Sequence, residues 1–96
     1  MSFSTAAAED LALQALVFLA SDEEMVAQLL AASGIAPDAL RQAARDPDFL
    51  RHVLDFLCED DQRILAFAAQ QSLRPEQVVS ARTALAGPGS YGWQPD

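Results

Sequence analysis

Asp46-Pro47-Asp48-Phe49-Leu50-Arg51-His52-Val53-Leu54-Asp55-Phe56-Leu57-Cys58-Glu59-Asp60 is the stretch from which the whole chain is read. Asp followed by Pro is a strong helix start. The carboxylate accepts from the first unpaired amides, and a proline at the first helical position loses no hydrogen bond. Wound at about 100° per residue, Asp48, Arg51, His52, Asp55 and Glu59 fall on one polar face. Phe49, Leu50, Val53, Leu54, Phe56 and Leu57 fill the wider remainder. An apolar arc so broad suits a helix packed against more than one neighbour. This helix is therefore expected at the centre of the fold, fourth in a series of six.

Working outward, a first helix is expected from Thr5, as its N-cap, to about Ala20. It is apolar almost all round in its last three turns, where only Gln14 interrupts. Ser21-Asp22-Glu23-Glu24 has the pattern of a capping box. A second helix follows with Met25, Val26, Leu29 and Leu30 on one face, stopped by Gly34 in a left-handed conformation. Pro37 opens a third, carrying Leu40, Ala43 and Ala44. Beyond the central stretch, Asp60 caps a fifth helix with Ile64, Leu65, Phe67 and Ala68 inward. Pro75 opens a sixth with Val78, Ala81 and Leu85 inward, ending at Gly87. No segment alternates with period two for long enough to make a strand. The fold class is all-α: one six-helix domain over residues 5–87, a disordered N-terminus at 1–4 and a turn-rich tail at 88–96.

Shifted by thirty-eight residues, the sequence overlays itself. Leu16, Phe18, Leu19 and Asp22 fall on Leu54, Phe56, Leu57 and Asp60. Ala31, Pro37 and Ala43 fall on Ala69, Pro75 and Ala81, and Asp10 falls on Asp48. The coincidence of prolines and helix-initiating aspartates implies a pseudo-repeat of two three-helix units, at about 5–45 and 46–87. Each is too small to bury its own apolar faces, so the two must share one core. The mismatches are equally informative. Arg51 and Asp55 of the fourth helix correspond to Leu13 and Val17 of the first. With Leu16 and Ala20 these form a candidate interface, because an exposed apolar patch marks a contact surface. The other reading buries them under the sixth helix or the tail.

Composition narrows the function classes. The net charge of −8 argues against a phosphate backbone as ligand, which demands concentrated positive charge. It argues equally against anionic membranes. The acids are uneven, eight against two Arg in residues 1–48 and six against four Arg in 49–96. Most stand at helix starts, where they complement the helix dipole. One cysteine, Cys58, allows neither an intramolecular disulfide nor a Cys-cluster zinc site and suits a reducing cytoplasm. No apolar run approaches the roughly 20 residues of a membrane span. A secretory leader is not expected, since Glu9 and Asp10 stand where positive charge belongs.

Candidate chemistry is sparse. His52 shares its helical face with Asp48 and Asp55, nominally one imidazole and two carboxylates. A solvated polar face explains them better, with Arg51 competing for Asp55. Cys58 follows His52 by six residues, about 240° around the helix, so the two cannot meet within it; Cys58 belongs at the core's edge. The Gly-rich run at residues 87–92 follows a helix, not a strand, and lacks the lysine of a phosphate loop. Tyr91 and Trp93 in the tail either dock on a partner or fold back over the domain. Arg41 and Arg45 share one face of the third helix, too few for DNA binding in a net acidic half.

Several runs resemble a known family. They are Phe18-Leu19-Ala20-Ser21-Asp22, Gly34-Ile35-Ala36-Pro37 with Leu40-Arg41, Pro47-Asp48-Phe49-Leu50, Leu54-Asp55-Phe56-Leu57, and Pro75-Glu76 with Ala81-Arg82. The family is domain of unknown function 3572, found mainly in alphaproteobacteria. The resemblance implies a small cytoplasmic bacterial protein and carries over no catalytic, cofactor or metal residues. The expectation is a non-catalytic interaction or regulatory module without cofactor, binding a protein partner or forming a homodimer through the first helix. An enzyme would instead need a polar pocket gathering His52 with carboxylates of both units. A DNA-associated regulator would need Arg41, Arg45 and Arg82 on one surface.

Overall fold

A computed structural model describes residues 4–86. Six α-helices follow one another: α1 (Thr5–Ala20), α2 (Glu23–Ser33), α3 (Leu40–Ala43), α4 (Pro47–Cys58), α5 (Asp61–Gln71) and α6 (Pro75–Ala86). A 3-10 turn, Pro37–Ala39, leads into α3. The described residues contain no strand.

Polar residues at the helix ends account for these boundaries. Ser4, rather than Thr5, caps α1, its Oγ accepting from the Ala7 amide at 3.1 Å. The Ser21 capping box is not formed. Only two residues separate α1 from α2, and the Ser21 hydroxyl donates to the Phe18 carbonyl at 2.6 Å, closing α1. Asp22 caps α2 instead, accepting from the Glu24 and Met25 amides. Asp46 and Asp60 cap α4 and α5 in the expected way, accepting from the Asp48 and Gln62 amides. Each such cap contributes about 1 kcal/mol. Gly34 ends α2 at φ 76°, its amide donating to the Leu30 carbonyl at 2.8 Å. Ser72, thirty-eight residues later, ends α5 at φ 56°, a conformation that a side chain makes costly.

α4 is central, as its apolar arc requires. All six of its apolar residues from Phe49 to Leu57 are buried. It packs against α1 and α6, which also pack on each other, while α5 lies on α4 and α6 and α2 lies mainly on α1. Small side chains permit this close three-helix core: Ala8, Ala12 and Ala15 of α1, and Val78 and Ala81 of α6, are almost wholly shielded. Every buried residue described is apolar. Phe67 of α5 is fully buried against Phe18, ring centroids 5.4 Å apart.

Leu65 does not point inward; it is half exposed. Ile64, Phe67 and Ala68, spaced i, i+3, i+4, take the inward stripe and leave Leu65 off its edge. The third helix is also shorter than its proline start suggests. Pro47 lacks an amide hydrogen, its ring would collide with the carbonyl four residues back, and it forces Asp46 out of helical geometry (φ −95°, ψ 118°). α3 is therefore a single turn with no fully buried residue. α6, whose start at Pro75 is followed by no further proline until Pro88, runs three turns and supplies Val78 and Ala81 to the core.

Candidate functional site

The unusual surface lies on α1. Its inner face carries Ala8, Leu11, Ala12, Ala15, Leu16 and Leu19 into the core. On the outer face Leu13 is 38% exposed and Val17 67%. Ala20, one turn on, is exposed as well. Val17 is more open than Leu13, which is partly shielded. Leu16 is not part of the exposed patch. It stands four residues from Ala12 and three from Leu19, hence on the core side, and is 7% exposed.

Val17 and Ala20 stand on one wall of a groove. Leu16, Val17 and Ala20 line it from α1; Pro37, Asp38, Leu40, Arg41 and Ala44 line it from the 3-10 turn and α3. Its rim carries both charge signs. Arg41 and Arg45 also share a second concavity with Asp38 and Asp46. Arg82, the third arginine of the nucleic-acid reading, is turned away onto Asp55.

That ion pair occupies the corresponding place on α4. Arg82 Nε lies 2.7 Å from an Asp55 carboxylate oxygen, both side chains about a third exposed. Arg51, four residues before Asp55 on its own helix, is not the partner; the competing arginine comes from α6. The polar face of α4 is therefore only partly solvated. Asp48, Arg51 and Glu59 are exposed, while His52 and Asp55 are half-buried. The His52 Nε2 atom is buried without a hydrogen-bond partner. Among the described residues no group of three or more His, Cys, Asp or Glu side chains is arranged to hold a metal ion.

Residues 5–88 match the family described as Protein of unknown function (DUF3572). The chain belongs to that family. No curated protein and no solved structure matches it.

In this family member Cys58 sits half-buried at the core's edge. Burial pushes its thiol above the ordinary value; the Arg82 guanidinium opposes that shift and the Asp55 carboxylate adds to it. A thiol held protonated is a poor nucleophile. Tyr91 and Trp93 lie outside the described residues.

Two features were not anticipated from sequence. Arg63 of α5 donates to the Phe56 carbonyl at 2.8 Å, places its guanidinium 3.9 Å from the Phe56 ring centroid, and reaches Gln28 of α2 at 3.2 Å. It thus ties the end of α4 to two other helices. An arginine just past a helix C-terminus was the available signal. A second apolar patch pairs Leu65 with Val79, 43% exposed, beside Asp61 and Glu76. No described helix is long and apolar enough to cross a membrane.

Proposed function

We propose that the chain is a non-catalytic interaction module of the cytoplasm, receiving a helix of a protein partner along α1 in the groove walled by residues 37–44. The observation that carries this reading is the exposure of Val17, 67%, on a helix whose other face is core. Leu13 extends the apolar stripe by one turn, and Arg41 with Asp38 supplies a polar edge for orientation. Apolar anchors inside a charged rim are the usual anatomy of a helix-binding groove.

The fold is further read as two three-helix units descended from one pattern. Three correspondences at an offset of thirty-eight residues support this. Asp22 and Asp60 cap α2 and α5; Gly34 and Ser72 end those helices in left-handed conformation; Pro37 and Pro75 open the next element. On this reading α6 covers α4 in the second unit, and the first unit lacks an equally long helix over α1. The groove is the space so left.

The test is the double variant Leu13→Arg, Val17→Asp. It is expected to keep the wild-type circular dichroism and melting curve and to lose association, read by chemical cross-linking and light scattering. A molten or insoluble product would mean that these residues hold the fold instead. A folded variant whose association is undiminished would sink the docking reading.

A further inference from the structure

We infer that the helix received in the groove is α1 of a second copy, lying antiparallel across a two-fold axis near residue 15, with Asp10 of each copy against Arg41 of the other. This rests on the docking reading and names its occupant. Asp10, Leu13 and Val17 are spaced i, i+3, i+7 and therefore form one stripe along α1. Asp10 is exposed at the N-terminal end of that stripe. Arg41 lines the groove together with Val17 and Ala20 at the other end. Neither has an ion-pair partner among the described residues.

The spacing suits self-pairing. A two-fold midway between Leu13 and Val17 sets Leu13 of one copy level with Val17 of the other. Asp10 lies five residues from that centre, about 7.5 Å along the axis at 1.5 Å per residue. In the antiparallel partner it is carried the same distance the other way, level with Ala20, beside which Arg41 stands. Acid, apolar stripe and base thus occur in the order an isologous interface requires. An unrelated partner helix would have to supply an acid at that same offset; a second copy already has it. Glu9, next to Asp10, strengthens the negative end. The pairing also brings cation and anion together locally in a chain whose net charge of −8 otherwise opposes association.

Charge reversal tests the geometry without touching the core. Wild type is expected to give a two-chain mass by light scattering. Arg41→Glu alone and Asp10→Arg alone should each weaken the dimer at least about tenfold, since both symmetry-related contacts turn repulsive. Mixing the two variants should restore wild-type affinity in a heterodimer, which has one native and one inverted pair. Retained circular dichroism in each variant separates misfolding from lost pairing. Failure of the mixture to recover overturns the antiparallel arrangement, as do assemblies that grow beyond two chains. A wild type that stays monomeric at every concentration overturns self-pairing. Whether Leu13→Arg, Val17→Asp then abolishes binding of another protein decides the docking reading separately.

Discussion

Two positions thirty-eight residues apart, one on α4 and one on α1, are treated in opposite ways. Asp55 of α4 is charged, yet only about a third exposed, because α6 lies across it and Arg82 pairs with it. Val17 of α1, thirty-eight residues earlier, is apolar and 67% exposed. Exposure here does not follow side-chain polarity; it follows whether another helix lies over the position. Pro47 follows Pro37 by ten residues and ends α3 after one turn, whereas Pro88 follows Pro75 by thirteen and leaves α6 its three turns.

Substitutions at matched positions can break that comparison. The largest effect is expected for Ala81→Asp, because Ala81 is fully buried within the apolar core. It should cost more than about 4 kcal/mol or prevent folding, read by urea denaturation. Ala43→Asp, on the half-buried α3, should cost about 1 kcal/mol or less. Equal penalties would mean that α3 is as much core as α6.

The next contrast reverses side-chain size. Val78→Ala removes less than Leu40→Ala, but Val78 is fully buried and Leu40 only partly. Losses of about 2 kcal/mol and about 1 kcal/mol are expected in that order. A larger loss at Leu40 would show that α3 anchors the first half. Smaller still is Ser72→Gly, which relieves a positive φ that Gly34 already meets without a side chain. It should raise stability by about 1 kcal/mol, and Gly34→Ser should lower it by a similar amount.

The smallest effect concerns pH. Burial raises the Cys58 thiol in the folded state, so the native chain holds its proton more tightly than the unfolded chain. The stabilisation is complete below the unfolded thiol value of about 8.5 and is lost as pH rises through the higher folded value. Thermal melts between neutral and alkaline pH should show this decline. Cys58→Ala should remove that component. Its counterpart Ala20 lies on the uncovered side, and a cysteine placed there should be alkylated at neutral pH far faster than Cys58.

Much of the fold was legible in advance. The starts at Asp46-Pro47, Asp60 and Pro75, the stop at Gly34 and the inward face of α4 depend on neighbours within one or two turns. Local hydrogen bonding and proline geometry settle such features regardless of what packs above them. Leu65 was misplaced because it sits one position from a true core residue, Ile64, where helical periodicity alone cannot choose the edge of the buried stripe. Arg63 was missed since its three contacts join α5 to α4 and α2, which no local pattern encodes. The Asp55 partner failed for the same reason: Arg51 was near in sequence, whereas Arg82 is near in space.

By itself, the sequence determined that the described part of this chain is helical and has no strand, where most of its helices start, and that α4 must be central, because caps, prolines and amphipathic period act over a few residues. Only the tertiary structure decided that Val17 stays uncovered and Leu13 partly so, that Leu16 is buried, and that a groove opens beside them. Those outcomes depend on how far α3 and α6 extend over their neighbours. A side chain's exposure is set by what the rest of the chain places above it, which its own helix cannot specify.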